Sequence, residues 1–201
     1  PSSLLVGLVF STTALPLPHR AIPRIIDLHT FMVLSSYLKE KFPNKKLLLS
    51  EACIEYSKFA ATDYLKNAQK YAHDIIGNFN NGMNTFLDWN IVLDEIGGPN
   101  HVGNFCDAPY LYDTKNKKLI ESNICGHLWH FSHFIEKGAV RIGFTKYTDR
   151  LDVTAFKKDN KIAVVMLNRT EEKIPAYLRL NGYCAEMEVE PNAIATAVIE
   201  E

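Results

Sequence analysis

From Phe31 to Lys41 apolar side chains recur at helical spacing, with Phe31, Leu34, Ser35 and Leu38 on one face. Phe42-Pro43-Asn44 stops that helix, since proline cannot continue it and asparagine suits the turn. Lys46–Glu51 then carries the unbroken run Leu47-Leu48-Leu49, the pattern of a strand buried on both faces, as in a parallel sheet. Residues 62–79 hold the longest helical pattern, with Tyr64, Leu65, Ala68, Tyr71, Ala72, Ile75, Ile76 and Phe79 in register. Thr62 or Asp63 can cap its start, and Asn80-Asn81-Gly82 ends it. Thr85–Leu93 reads as a second buried strand, closed by Gly97-Gly98-Pro99-Asn100, and residues 122–135 as one more helix. Helix, strand, helix, strand is the rhythm of α/β architecture.

After Gly138 the rhythm changes. Arg141–Phe144, Leu151–Phe156, Ile162–Leu167, Ala176–Leu180, Ala185–Val189 and Ala193–Ile199 are short strand-like runs separated by turn signals such as Lys158-Asp159-Asn160. Short strands at such spacing predict a β-sandwich. The chain therefore divides into an irregular segment at 1–26, broken by Pro16, Pro18 and Pro23, an α/β part at 27–137 and a β-sandwich at 138–201.

Composition removes several functions. Lys and Arg number 22 against 23 Asp and Glu, a net charge of −1, so no global field draws nucleic acid or an anionic membrane. No apolar run approaches the roughly 18 residues of a transmembrane helix. Leu4–Phe10 has the length of a short signal core but lacks a basic flank, and is expected to be a clipped signal or unrelated upstream sequence. Cys53, Cys106, Cys125 and Cys184 lie far apart without a CxxC pair, so zinc-ribbon spacing is absent, and they are expected as buried thiols rather than disulfides. No phosphate-binding glycine loop and no GxSxG nucleophile motif occurs.

Four groups of residues can carry chemistry. Glu51 ends a buried strand, and in a parallel barrel that edge is the active-site face, where a carboxylate serves as nucleophile or base. An ordinary strand-end Glu with a salt-bridge partner fits the same pattern. Asp88-Trp89-Asn90, with Asn104 beyond the glycine turn, suits a sugar: indole stacks on its C–H face while amides and carboxylates bond its hydroxyls. A core Trp and turn-forming Asn residues fit equally. His127, His130 and His133 share one side of a helix, a spacing open to a metal, although packed or surface histidines explain it without one. Asn168-Arg169-Thr170 is an N-glycosylation sequon, with meaning only on the secretory route.

The ordered series Phe42-Pro43-Asn44, Leu49-Ser50-Glu51-Ala52-Cys53, Asp88-Trp89-Asn90, Gly97-Gly98-Pro99-Asn100, Asn104-Phe105, His130-Phe131-Ser132 and Val165–Arg169 resembles the lysosomal glucosylceramidases (acid β-glucosidases) of glycoside hydrolase family 30, from about Asp27 onward. The resemblance implies the last strands and helices of a TIM (β/α)8 barrel followed by a C-terminal β-sandwich. It implies a retaining β-glucosidase that hydrolyses glucosylceramide to glucose and ceramide, with Glu51 as nucleophile. Trp89 and Asn104 would line the glucose pocket, and Cys53 would lie near the site rather than in a disulfide.

The family's acid/base Glu stands in an Asn-Glu-Pro motif. No Asn-Glu pair occurs here, so that residue is absent from this chain, and the position nearest the family's His-Trp-Tyr reads Leu28-His29-Thr30. The expectation is a C-terminal part of a longer enzyme or a mis-spliced gene model. Other family 30 activities (xylosidase, glucanase) and an inactive fragment that only binds are the alternatives. The resemblance implies a glycosphingolipid substrate, a membrane surface or lipid-presenting activator as partner, no nucleic acid, no metal or organic cofactor, and a lysosomal or secreted location.

Overall fold

The computed structural model describes residues 6–8, 28–56, 62–99 and 105–201. Three helices and fourteen strands follow in order: β1 (Val6–Leu8), α1 (Leu28–Lys41), β2 (Leu47–Leu49), β3 (Glu55–Tyr56), α2 (Tyr64–Asn80), β4 (Thr85–Phe86), β5 (Val92–Asp94), β6 (Phe105–Cys106), β7 (Tyr110–Asp113), β8 (Lys118–Glu121), α3 (Asn123–Phe134), β9 (Val140–Arg141), β10 (Leu151–Lys158), β11 (Lys161–Asn168), β12 (Ile174–Leu180), β13 (Tyr183–Val189) and β14 (Ala193–Glu200). The helices arise where expected. The Asp63 side chain accepts the Lys66 N–H at the start of α2, and Ser122 accepts that of Ile124 at the start of α3.

β2, α2 and β4 make one βαβ unit: β4 lies parallel to β2, with α2 as the crossover. β1 lies parallel on the other side of β2, pairing Val6 with Leu47 and Leu8 with Leu49. The apolar run at 4–10 thus supplies a strand where an irregular segment was expected. A second departure falls at 85–93. The ladder to β2 covers only Thr85 and Phe86, and Val92–Asp94 pairs instead with β7. Leu87 and Ile91 are exposed, so the segment is not one continuous buried strand.

In the C-terminal part, β14, β11, β10 and β9 form an antiparallel sheet, and β12–β13 a separate hairpin. Leu151, Ala155, Ile162, Val164 and Met166 of the sheet pack with Ile174, Ala176 and Val189 of the hairpin, which is the sandwich core. The sheet's other face is buried too. Val165 and Leu167 join Ala72, Ile75 and Ile76 of α2 and Phe131 of α3. Burial on both faces explains why Ile162–Leu167 is an uninterrupted apolar run rather than an alternating one. Polar contacts cross the same seam: His73 Nδ1 lies 2.8 Å from Asp152 Oδ2, and Gln69 Nε2 donates to Asn192 Oδ1 at 3.0 Å.

Candidate active site

The parallel ladder between β2 and β4 continues past both strands. Asn84 N donates to Leu47 O at 2.9 Å, Leu87 N to Leu49 O at 2.9 Å, and Trp89 N to Ala52 O at 2.8 Å. These bonds hold Ser50-Glu51-Ala52 alongside Asp88-Trp89 at the carboxyl ends of neighbouring parallel strands, the edge where an α/β barrel carries its catalytic groups. Glu51 is half-buried there. Among the described residues its carboxylate has no ion-pair partner, unlike a strand-end Glu held by a structural salt bridge.

Asp88 sets the loop's shape. Its Oδ1 accepts the Tyr71 hydroxyl at 2.9 Å and the Trp89 N–H at 2.9 Å, so the backbone at Trp89 is held by its neighbour's carboxylate as well as by Ala52. Asp88 Oδ2 is buried without a hydrogen-bond partner among the described residues. Burial, aided by the charge of Asp107, raises Asp88 to about 6 against the opposing bonds from Tyr71 and Trp89. Asp107 is also raised by its burial and is held by Asn67 Nδ2 at 3.1 Å and the Ala108 N–H at 2.9 Å. Burial and the neighbouring Asp88 push the Tyr71 phenol up, so it stays a donor. Sequence reading placed Tyr71 only on the apolar face of a helix and did not single out Asn67 or Asp107. Nothing local marks them, because their role depends on how α2 meets the loop after β4.

Trp89 and Cys53 pack against the buried cluster of Leu93, Cys106 and Ala108. Cys53, Cys106, Cys125 and Cys184 carry thiols. Cys53 therefore sits beside the Glu51 segment, whereas Cys184 is exposed rather than buried. Asn104 lies outside the described residues. The turn at Gly97-Gly98-Pro99 is organised by Asp94, whose Oδ1 accepts the N–H of Ile96 at 3.0 Å and of Gly98 at 2.6 Å. A Cβ at Gly98 would stand 2.8 Å from Asp94 Oδ2, so glycine is needed for that approach.

The three histidines diverge. His127 is buried and its Nδ1–H donates to Asn123 O at 2.8 Å within its own helix. His130 Nδ1 meets Thr196 Oγ1 of β14 at 2.9 Å, and the His133 ring stacks on Trp129 at 4.5 Å between centroids. Burial lowers the pKa of both His127 and His130. Among the described residues no three His, Cys, Asp or Glu side chains converge to hold a metal.

The asparagine of the sequon lies in the interior of the sandwich part. Asn168 is fully buried, and the Nδ2 that would carry a glycan donates to Glu172 O at 2.7 Å, Val189 O at 3.1 Å and Glu190 O at 2.9 Å. A sugar on that nitrogen is incompatible with this packing. An open cavity of about 560 Å³ contains none of the predicted site residues. It is lined by Lys39, Asn81, Gly82, Asn84, Arg141 and others at the amino-terminal edge of β4, the face where a barrel carries stability rather than chemistry.

A parallel βαβ end with a carboxylate at its carboxyl edge, docked on a β-sandwich, matches the two domains of a glycoside hydrolase family. The chain belongs to glycosyl hydrolase family 30: the family's TIM-barrel domain matches residues 27–135 and its β-sandwich domain residues 138–197. Lysosomal acid glucosylceramidase of Mus musculus is 36% identical over 140 residues, which are 67% of this chain and 27% of the mouse protein. Putative glucosylceramidase 1 of Caenorhabditis elegans is 37% identical over 136 residues, 65% of this chain and 26% of the worm protein. The crystal structure of SrfJ from Salmonella typhimurium superposes with a TM-score of 0.79 at 30% identity, covering 85% of this chain and 38% of that one. The chain thus spans only about a quarter of the length of those two curated relatives. Among the described residues no helix is long and apolar enough to cross a membrane.

Proposed function

We propose that this chain carries the nucleophile side of a retaining β-glucosidase acting on glucosylceramide. The observation that carries the reading is the extended β2–β4 ladder, which sets Glu51 beside Asp88-Trp89 at the carboxyl edge of parallel strands. The naming of the mouse and worm relatives as glucosylceramidases supports the substrate.

In this mechanism the Glu51 carboxylate attacks the anomeric carbon and displaces ceramide, leaving a covalent glucosyl ester that water then hydrolyses. Trp89 offers its face to the sugar, and Asn104 is proposed to bond its hydroxyls. A second carboxyl group about 5–5.5 Å from the nucleophile protonates the leaving oxygen and later activates the water. No Asn-Glu pair stands in this chain to take that role. The lipid aglycone places the reaction at a membrane surface or on a lipid-presenting protein, in the lysosome or outside the cell.

The nucleophile is testable without the acid. A 2-deoxy-2-fluoro-β-glucoside with a dinitrophenolate leaving group departs without protonation, so it reports on the attacking carboxylate alone. The expected result is a stable glucosyl adduct on the peptide containing Glu51, absent in Glu51→Gln. An adduct on another carboxylate, or none on a folded chain, overturns the assignment.

A further inference from the structure

We propose that Cys53 and Cys106 form a redox-sensitive modification site, closing to a reversible disulfide by exchange with small-molecule disulfides. The two residues are 53 positions apart, yet their Sγ atoms lie 3.6 Å from each other, with the Cys106 thiol donating toward Cys53. The approach is built by the β3–β6 ladder. Glu55 pairs with Cys106 and Tyr56 with Phe105, and Asp107 N donates to Ile54 O at 2.9 Å. Cys106 is fully buried and Cys53 half-buried, so the pair has one reachable member and one held beneath it. Closing to the roughly 2.05 Å of a disulfide needs about 1.5 Å of sulfur movement. Cys106 lies in that ladder and Cys53 two residues before it, so rotation of the two short side chains is the movement required.

The chemistry is asymmetric. The bond to Cys53, together with burial, raises the pKa of the Cys106 thiol and holds it protonated, while the half-buried Cys53 is the reachable member of the pair. Cys53, as thiolate, attacks one sulfur of an oxidised small disulfide RSSR, forming Cys53–S–SR and releasing RS⁻, which takes up a proton. The Cys106 sulfur then attacks the Cys53 sulfur, the S–SR bond breaks, and the Cys106 proton leaves with the second RS⁻ as RSH. The pair is oxidised by two electrons, and RSSR is reduced to two RSH. The bond would tie the segment just after Glu51 to β6, beneath the Trp89 side chain that packs on the same cluster. It is a clasp across the floor of the candidate site.

The test treats the purified chain with oxidised glutathione, blocks remaining thiols by alkylation, and maps the peptides by mass spectrometry. The expected product is a cross-linked Cys53–Cys106 peptide lighter by two hydrogens and restored by dithiothreitol. Cys106→Ser stops at the glutathione adduct on Cys53. Cys125→Ser and Cys184→Ser leave the cross-link in place. In urea the preference for this pair disappears, because the fold creates it, and the cross-linked form melts at a higher temperature than the reduced one. Three results overturn the proposal: recovery of Cys53 and Cys106 as separately modified peptides from folded chain, selectivity that persists in urea, or a cross-linked form that melts no higher.

Discussion

Asp88 concentrates the physics of the site in one carboxylate. It holds the Trp89 backbone and the Tyr71 hydroxyl, and its burial raises it from an ordinary 3.8 to about 6. The folded state therefore binds this proton more tightly than the unfolded chain does. Its contribution to stability grows as pH falls from about 6 towards 4, and above 6 the folded protein bears a buried charge. A shift of this size corresponds to about 3 kcal/mol between the two limits. Asp74, raised to about 6 by its own burial, acts in the same direction. Asp88→Asn keeps an acceptor for Tyr71 and Trp89 but removes the titration. On going from pH 7 to pH 5 the melting midpoint of the variant is expected to shift less favourably than that of the wild type. An unchanged pH dependence would remove Asp88 as its source.

At the scale of elements, Asn168 shows how one side chain joins β11 to a hairpin with which that strand does not pair. It closes β11, and the two hydrogens on its Nδ2 are shared among three backbone carbonyls just before β12 and at the end of β13, while its Oδ1 accepts the Thr170 N–H at 2.9 Å and hydroxyl at 2.8 Å. Asn168→Asp leaves the acceptor but sets a carboxylate oxygen against three carbonyls. Stranding buried acceptors costs roughly 1–3 kcal/mol each. The variant is expected to lose several kcal/mol in urea denaturation, with its first disruption in the β12–β13 hairpin by amide exchange. A loss below about 1 kcal/mol would show that the hairpin docks through its apolar face alone. The sequon and the structural role share a residue, and a triplet pattern does not separate them: the distinction is whether Nδ2 faces water or backbone carbonyls.

At the scale of the molecule, the two family domains share a core. Val165 and Leu167 pack under α2 and α3 while Val164 and Met166 pack under the hairpin, so β11 is interior to both parts. Truncation at such a position costs about 2–5 kcal/mol. Leu167→Ala is expected to destabilise by that amount and to lower the helical and β-sheet signals together in one melting transition. Separate transitions would mean that the sheet and the helices fold independently. The ion-paired Asp152, held by His73 of α2 and Arg169 Nε at 2.9 Å, supports the same seam from its polar side.

The amino-acid sequence by itself determined the three helices, the strands from Leu151 onward, the change of architecture near Gly138, and the placing of Glu51 at the end of a buried strand, whereas the strand expected at Arg141–Phe144 is only Val140–Arg141. These follow from local periodicity, caps and turn residues, which act over a few positions. Only the tertiary structure decided that 85–93 splits between two sheets, that Val6–Leu8 joins β2, and that the three histidines point apart. It also decided that Asn168 is interior, and that Tyr71 and Asp107 support the site. Each depends on which face of an element meets another across tens of residues, as does the meeting of Cys53 with Cys106. A strand's period states that one face is buried, and packing states against what.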